Sequence, residues 1–512
     1  MKLKKKNYLE FLFLILLGAL SSLSLPPYNF LIINFITFSL FFVYLFNKKK
    51  LINSNHKFLN GWLFGFGYFL SNLYWISFSL KFDENFKFLI PFALILIPAF
   101  LAIFYGVVTY CFFLIKNKKL TSNLFLFSVL FGLIEFIRGN ILTGFPWNLI
   151  AYSFSNNLEV LQILSFIGTY SFNILCISFF IAPSIFILSN NRKDIFVSVF
   201  LLIIPIIFYI TGSLKIKSFQ SLNLVKNDYV IRALGSKIDI DRFYGNTDAF
   251  KVIKELIIIS KPDLGTKTIF LWREGIIPNI YQSNLNEFKF LFDKKFNENH
   301  LLFLGINVNE NDKRDEYYNS LSIYNHKLNL IDSYKKVDLV PFGEFLPFEN
   351  FLGRIGLKSL TNNYQSFSAG KNRQIIKIND NDFNLKVLPL ICYEIIYSGK
   401  IFDNHNFDYI FNISEDGWFG NSVGPHQHFT HSIFRAIESG KYIIRSANNG
   451  VTAIINPTGF VEKKLPLGKS GYVDFSEKRV SNTTLFSQHG NKMFLIIILL
   501  YIFLIFSFNK IS

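Results

Sequence analysis

The segment Val387-Leu388-Pro389-Leu390-Ile391-Cys392-Tyr393-Glu394 combines an apolar run with a thiol and a carboxylate at its end. A short apolar run of this kind predicts a buried strand. Cys392 follows the run directly and is therefore a candidate nucleophile. The other two cysteines, Cys111 and Cys176, lie inside hydrophobic stretches and are interpreted as packing residues. A buried structural cysteine is the alternative interpretation of Cys392.

The composition places part of the chain in lipid. Of 512 residues 51% are hydrophobic, and the mean hydropathy of +0.33 is too high for an ordinary soluble protein of this size. Apolar runs long enough to cross a bilayer are predicted at 8–24, 29–46, 59–80, 88–115, 122–141, 159–189, 195–213 and 493–508. We therefore expect a polytopic α-helical membrane domain of about eight transmembrane helices, formed by residues 1–215 and a C-terminal helix at 493–508.

The stretch 228–480 alternates short β-type runs with helical patterns and predicts an inserted globular α/β domain. Strands are expected at 229–234, 268–271, 301–306, 320–324, 385–391, 409–413 and 452–455, and helices near 247–260, 284–296 and 426–439. The sequence contains no internal repeat, no zinc-type cysteine pair and no glycine-rich phosphate loop.

Basic residues fall in every second short loop, which predicts the orientation. They are Lys2, Lys4, Lys5, Lys6, Lys48, Lys49, Lys50, Lys116, Lys118, Lys119, Arg192 and Lys193. The positive-inside bias places both termini in the cytoplasm and the domain at 228–480 on the opposite, outer side. A cleavable signal peptide is the alternative interpretation of the first run. Basic loops on anionic leaflets account for much of the net charge of +17, and no nucleic-acid motif is present.

Three segments of the outer domain end in chemically reactive residues: 269–274 (IFLWRE), 334–344 (YKKVDLVPFGE) and the Cys392 segment. A carboxylate, an amine and a thiol together make an acyl-transfer centre, because the carboxylate takes the thiol proton and the ammonium stabilises the oxyanion. Taken singly, Glu274 could be a solvated loop carboxylate, Lys335 and Lys336 surface amines, and Glu344 the cap of a turn.

The three segments resemble the Glu, Lys and Cys motifs of the nitrilase (carbon-nitrogen hydrolase) superfamily. Together with the membrane spans, the whole chain resembles the apolipoprotein N-acyltransferase family. Further matching segments are 144–147 (GFPW), 412–420 (NISEDGWFG), 424–428 (GPHQH) and 445–450 (RSANNG). The resemblance implies a nitrilase-like α-β-β-α sandwich on the periplasmic side of the bacterial inner membrane.

The resemblance also implies the last step of lipoprotein maturation. Cys392 would take the sn-1 acyl chain of a glycerophospholipid, typically phosphatidylethanolamine, as a thioester. The α-amino group of a lipoprotein's diacylglyceryl-cysteine would then accept that chain. Glu274 would be the general base and acid, and Lys336 the electrostatic stabiliser. No cofactor and no metal are implied.

Supporting roles follow from the same resemblance. Glu344 would orient the amine and the substrate, while Tyr393 and Glu394 would support the nucleophile, with the Tyr393 N–H as a candidate oxyanion donor. Trp418 would line the acyl pocket or the core. The chain departs from the family at Arg273, where Pro is usual, and at Asp338, where His is frequent. We expect Arg273 to pack or pair outside the pocket.

Two further clusters leave alternatives open. Glu135 and Arg138 lie three residues apart within a predicted span, so they form either a mutually satisfied pair or a site at which Arg138 contacts a lipid phosphate. His426, His428 and His431 lack the two-histidine, one-glutamate zinc pattern, and a place at a helix start near the site is preferred. Trp147 is expected in the aromatic belt at the outer interface.

Two other functions compete with the acyltransferase. A membrane-tethered nitrilase-type amidase acting on a small amide would use the same three residues. The other class is a transporter or a binding-only scaffold, but transporters usually display paired polar or interrupted spans at the membrane midplane, and the sequence offers little of that.

Overall fold

The computed structural model describes residues 5–48, 53–222, 224, 226–244, 247–310, 316–355, 366–380, 383–400, 406–476 and 483–510. Lys2, Lys4, Lys49 and Lys50 of the basic loops, and the expected domain boundary at residue 480, lie outside these residues. The chain divides into two compact units. The first contains Met1–Ser221, Asn421–Thr430 and Thr484–Ser512, and the second contains Leu222–Gly420 and His431–Thr483.

The α-helices in chain order are α1 (Lys5–Ser21), α2 (Ile32–Asn47), α3 (Ser54–Leu73), α4 (Ile90–Ile115), α5 (Leu120–Arg138), α6 (Leu158–Leu161), α7 (Leu164–Ile181), α8 (Ser184–Leu188), α9 (Arg192–Gln220), α10 (Ala249–Ser260), α11 (Lys289–Phe292), α12 (Glu349–Leu352), α13 (Gly424–Ser439), α14 (Leu485–His489) and α15 (Lys492–Lys510). The strands are β1 (Val230–Gly235), β2 (Thr268–Leu271), β3 (His300–Asn309), β4 (Tyr317–Asn325), β5 (Leu330–Lys335), β6 (Ile376–Asp380), β7 (Phe383–Ile391), β8 (Tyr409–Glu415), β9 (Tyr442–Asn448), β10 (Ala453–Ile455), β11 (Val461–Lys464) and β12 (Gly471–Phe475).

The first unit is helical and contains the apolar segments. Within the described residues, five helical segments are long and apolar enough to cross a membrane: Glu84–Ile115, Leu120–Arg138, Leu164–Leu188, Arg192–Gln220 and Lys492–Lys510. Tyr8–Ser24 and Ile32–Asn47 are apolar but shorter. The expected span at 59–80 corresponds to α3, which ends at Leu73 and continues as a 3-10 helix from Tyr74 to Lys81. The protein is therefore a membrane protein with several apolar helices.

Glycines allow close packing of α1, α3 and α4. A Cβ placed on Gly18 of α1 would lie 1.9 Å from the carbonyl oxygen of Phe64, and one on Gly61 of α3 would lie 2.0 Å from that of Tyr105. Small residues at helix crossings are a principal source of packing between membrane helices, because lipid supplies no hydrophobic driving force.

Trp147 is buried in the first unit with 1% of its surface exposed, so the expectation that it marks the outer interface is wrong. Its indole N–H donates to Oε1 of Gln427 at 2.8 Å, and its ring stacks on His428 with centroids 5.5 Å apart. A buried indole needs such a partner. Gln427 also donates to Pro26 and Asn72, so the segment Asn421–Thr430 belongs to the helical unit although both of its flanks belong to the second.

The second unit is an α/β domain with two six-stranded sheets. Their strand orders are β12-β1-β2-β3-β4-β5 and β11-β10-β9-β8-β7-β6. Each sheet has three parallel strands at its centre, β1-β2-β3 and β9-β8-β7, flanked by antiparallel strands. Parallel strands are buried on both faces, which explains the continuous apolar runs that the sequence shows there.

The two sheets stack face to face between helices. Phe303 of β3 meets Phe411 of β8 with ring centroids 5.2 Å apart, and the Ser446 hydroxyl donates to the carbonyl oxygens of Leu234 and Leu271 across the interface. On the outer face of the first sheet, α10 packs into the core that contains Phe270 and Leu302. Ile437 of α13 lies against Gly459, in the turn between β10 and β11 of the second sheet. Stacked sheets with packed helices agree with the expected α/β domain.

Two sequence expectations differ from this fold. The helix expected at 284–296 is a 3-10 helix over Gln282–Phe288 followed by the single turn of α11. Five strands were not expected: β5, β6, β9, β11 and β12. Four of these, β5, β6, β11 and β12, lie outside the central parallel strands. The fifth, β9, is buried throughout, but Arg445, Ser446 and Asn448 make its sequence look polar.

Candidate active site

Glu274 follows β2, on the side of the first sheet where its parallel strands end. The close approach of β3 depends on Gly305, because a Cβ there would lie 2.0 Å from the carbonyl oxygen of Arg273. The Glu274 carboxylate, with 7% of the residue exposed, accepts three hydrogen bonds. Its Oε1 accepts from Nζ of Lys336 at 3.0 Å and from Nδ2 of Asn319 at 2.7 Å, and its Oε2 accepts from the backbone N–H of Glu415 at 2.9 Å. It is a buried, oriented carboxylate rather than a solvated one.

Lys336 follows β5 directly and is 1% exposed. Its ammonium lies between Oε1 of Glu274 at 3.0 Å and Oε1 of Glu344 at 2.9 Å. Burial alone lowers the pKa of Lys336, but the charges of Glu274, Glu344 and Cys392 raise it well above its usual value, so the side chain stays cationic. The neighbouring Lys335 instead pairs with Glu310 and lies over the ring of Tyr318.

Glu344 completes the centre. Its Oε2 accepts from the backbone N–H of Val340 at 2.9 Å, while its Oε1 accepts from Lys336 and from Asn319, the latter at 2.9 Å. Asn319 of β4 thus donates to both carboxylates. Sequence reasoning missed Asn319, because a polar residue within a strand pattern carries no local sign of what lies opposite to it.

Cys392 begins a 3-10 turn at the end of β7 and has a φ of 47°, an unusual value for a residue with a side chain. Burial and the charge of Glu274 raise the pKa of its thiol well above the usual value, while Lys336 and a hydrogen bond with Ser414 act in the opposite direction. Two charges of the centre therefore act on the thiol with opposite signs. At neutral pH it is protonated and needs a base to become a nucleophile.

Glu394 holds the turn that presents Cys392. Its Oε2 accepts from the backbone N–H of Ile391 at 2.7 Å, and its Oε1 accepts from the Tyr334 hydroxyl at 2.7 Å and the Val337 N–H at 2.8 Å. Burial raises the pKa of Glu394, and Arg373 and the backbone donors act against it. Tyr393 is 6% exposed, and its ring packs edge-on against Tyr397. Both residues lie beside Cys392 in the same 3-10 turn.

A second buried network lies behind Glu274. Arg242 pairs with Glu415, whose side chain also accepts from Nδ2 of Asn448 at 2.7 Å and the N–H of Gly417 at 2.8 Å. The backbone N–H of this same Glu415 donates to Glu274. Glu415 lies in the segment 412–420, but the sequence predicts no role for it, because its contribution to Glu274 comes from the backbone.

Arg273 is fully buried, and none of its guanidinium nitrogens has a hydrogen-bond partner among the described residues. Burial and the charge of Arg242 lower its pKa to about 9, and Glu415 acts against this shift. Its guanidinium makes no hydrogen bond to Glu274. The second departure, Asp338, pairs with Arg373.

Two other sequence candidates, Trp418 and Arg138, make none of these contacts. Trp418 is half-buried and stacks on Phe243 with centroids 5.3 Å apart. Arg138 is 2% exposed in the helical unit, where it pairs with Glu135 and donates to the carbonyl oxygens of Phe145 and Trp147. Arg138 thus pairs with Glu135, and both of its hydrogen bonds to that residue go to Oε2, while Oε1 of Glu135 is buried without a hydrogen-bond partner among the described residues. In the part of the chain that the structure describes, no group of three or more His, Cys, Asp or Glu side chains could hold a metal ion.

The fold and the centre define a class. A family model for the carbon-nitrogen hydrolases matches residues 282–477, and one for the apolipoprotein N-acyltransferase N-terminal domain matches residues 17–182. The α/β unit is thus a carbon-nitrogen hydrolase domain, attached to a membrane domain that the second family model describes.

Curated relatives extend the match to nearly the whole chain. The chain is 33% identical over 486 residues to the apolipoprotein N-acyltransferase of Rickettsia prowazekii, which covers 93% of this chain and 94% of that protein. It is 32% identical over 482 residues to that of Rhizobium rhizogenes, covering 90% and 88%. The chain belongs to the apolipoprotein N-acyltransferase family. Among solved structures, a mutant of a Nesterenkonia amidase from the nitrilase superfamily matches with 11% identity and a TM-score of 0.36, covering 54% of this chain and 99% of that one.

Proposed function

We propose that this protein transfers the sn-1 acyl chain of a glycerophospholipid through a Cys392 thioester to the α-amino group of a lipoprotein's diacylglyceryl-cysteine. The observation that carries the proposal is the contact of Lys336 with Glu274 and Glu344, 3.0 and 2.9 Å away, beside a buried thiol at a strand end. Family membership over nine-tenths of the chain supports the substrates.

In the first half-reaction Glu274 takes the Cys392 proton, and the thiolate attacks the carbonyl carbon of the sn-1 ester. The oxyanion that develops is stabilised by the Lys336 ammonium, with the backbone N–H of Tyr393 as a second donor. When the carbon–oxygen bond breaks, the leaving glycerol oxygen takes the proton back from Glu274 and departs as lysophospholipid. The thioester remains on Cys392.

In the second half-reaction the neutral α-amine of the acceptor attacks the thioester carbonyl. Glu274 accepts the amine proton as the amide bond forms, the carbon–sulfur bond breaks, and the proton returns to the Cys392 sulfur. Glu344 orients the amine, and Trp418 lines the acyl pocket. Because the thiol is restored with its proton, each turnover starts from the same state.

The membrane arrangement forms part of the proposal. Eight spans, cytoplasmic termini and a catalytic domain at 228–480 on the periplasmic side of the inner membrane bring Cys392 to the side where lipoproteins mature. Among the described residues, five helices that are long and apolar enough to cross a membrane support this topology, as do the basic loops. Reporter fusions at residues 224 and 510 test it. Periplasmic activity at 224 with cytoplasmic activity at 510 is expected, and the reverse pattern contradicts it.

Intact-mass measurement tests the chemistry. Purified protein incubated in detergent with phosphatidylethanolamine labelled at sn-1 should gain one labelled acyl chain and release lysophospholipid. Cys392→Ala should gain nothing, whereas Cys111→Ala, which removes a thiol from α4, should behave as wild type. Addition of a diacylglyceryl-cysteine peptide should remove the acyl mass. Wild type that acquires no acyl chain from lipid but forms an adduct with a small amide would overturn the proposal in favour of the tethered amidase.

A further inference from the structure

We propose that Arg373 is a positioning residue that holds the Lys336 segment and the Cys392 turn in register. The inference rests on the proposed function, because it concerns the same reaction. Arg373 lies in the loop at 366–375 between the site and β6, and its side chain is 7% exposed.

The loop that carries Arg373 follows the Lys336 segment closely. The N–H of Gly370 donates to the carbonyl oxygen of Lys336 at 2.7 Å, and the N–H of Ser368 donates to that of Tyr317 at 2.7 Å. A Cβ on Gly370 would lie 2.4 Å from the Lys335 carbonyl oxygen. The backbone around the catalytic amine is thereby fixed from one side by the loop that presents Arg373.

Arg373 interacts with two carboxylates, one in the segment that carries Lys336 and one in the turn that carries Cys392. Its Nη2 pairs with Asp338, two residues after Lys336, and its charge acts on Glu394, two residues after Cys392. Glu394 in turn accepts from the N–H groups of Val337 and Asp338. Asp338, Glu394 and Arg373 thus form one charged cluster that links the Lys336 segment to the Cys392 turn. Lys400, which lies over the ring of Tyr397, is a further cation near Asp338 and Arg373.

The need for the cation arises from this chain's own sequence. Asp338 stands where the family resemblance implies a histidine, so a second carboxylate lies beside the buried Glu394. Two carboxylates at close range repel each other, and an unpaired buried charge is strongly destabilising. Arg373 offsets both. Without it, mutual repulsion would separate Val337 and Asp338 from Glu394 and shift Lys336 relative to the thiol.

A double-mutant cycle tests the inference in the full-length protein, with the rate of acyl mass gain on Cys392 as the readout. Arg373→Gln should slow acylation about a hundredfold, the scale of a displacement of about 1 Å in a reacting group. Arg373→Lys keeps the charge but not the planar donor fork, so it should acylate faster than Arg373→Gln. Asp338→Asn in the Arg373→Gln background should restore at least about tenfold, because it removes the repulsion. The lipid concentration at half-maximal rate should not change.

Lys371→Gln is the matched control, since it removes an exposed cation from the same loop. Arg373→Gln that acylates as fast as wild type would overturn the inference, and so would a double variant no faster than Arg373→Gln alone. Wild type that never acquires an acyl chain is a failure of the proposed function, and the cycle separates that outcome from a failure of this inference.

Discussion

The backbone N–H of Glu415 donates to Oε2 of Glu274 over 2.9 Å and joins the end of β8 in one sheet to the end of β2 in the other. Because a backbone donor cannot rotate away, it fixes one oxygen of the carboxylate. The second oxygen then points at Lys336 and Asn319. The Glu274 carboxylate is therefore oriented by the stacking of the sheets, and the buried Arg242–Glu415 pair holds the residue that donates to it.

Replacing Glu274 with Gln should slow acylation of Cys392 at least about a hundredfold, the usual effect of losing a positioned acid–base group. The amide keeps the size of the side chain but accepts no proton at neutral pH. Acyl mass gain against time measures the rate, and Glu287→Gln, an exposed neutralisation in the same unit, is the control. An unchanged rate would remove Glu274 from the mechanism.

Replacing Asn319 with Leu should reduce the acylation rate by about ten- to a hundredfold and lower the stability of the protein by about 1–3 kcal/mol, the scale of buried hydrogen bonds to charged groups. Glu274 and Glu344 both lose a donor, so the repulsion between them rises. Thermal unfolding in detergent measures the second effect. Asn325→Leu at the far end of β4 is the comparison. If both variants acylate equally fast, Asn319 has no part in the site.

The rate at which Cys392 reacts with iodoacetamide should rise with pH only above the range of an ordinary thiol, because burial and Glu274 raise its pKa. Because folding raises the pKa of this thiol, its contribution to the free energy of unfolding is fully present below the pKa of the unfolded chain. That contribution is lost as pH rises through the pKa of the folded protein. Glu274→Gln should shift the profile to lower pH and Lys336→Met to higher pH. Peptide mass spectrometry resolves Cys392 from Cys111 and Cys176. Identical profiles in all three proteins would contradict the electrostatic account.

Breaking the pair in the helical unit should be costly. Arg138→Leu leaves the carboxylate of Glu135 buried among apolar helices and should destabilise the protein by about 3–5 kcal/mol. The double variant Glu135→Leu with Arg138→Leu should recover much of the loss, since no lone charge remains. Thermal unfolding in detergent is the measurement. A double variant less stable than Arg138→Leu would show that the pair does more than balance its own charge.

The sequence predicts the parts of the site that each strand delivers at its end. Glu274, Lys336 and Cys392 all follow apolar runs, and strand ends in stacked parallel sheets meet at shared edges. The sequence does not predict the contacts that hold these three side chains together. Asn319, the Glu415 backbone and Gly305 act through contacts between distant strands, and no local pattern encodes such contacts. Spacing alone also gave no reason to prefer the pairing of Arg138 with Glu135 to a lipid contact.

The segment Asn421–Thr430 interrupts the α/β unit along the chain, yet its hydrogen bonds go to Trp147, Asn72 and Pro26 of the helical unit. A fragment cut at residues 222 and 483 would thus carry the start of α13 without its hydrogen-bond partners, and Arg435 of this helix donates to the carbonyl oxygen of Ile396 in the turn that begins at Cys392. Excision would remove the residues to which the segment Asn421–Thr430 is hydrogen-bonded. Enzymology on this protein is best done with the intact polypeptide in detergent or nanodiscs.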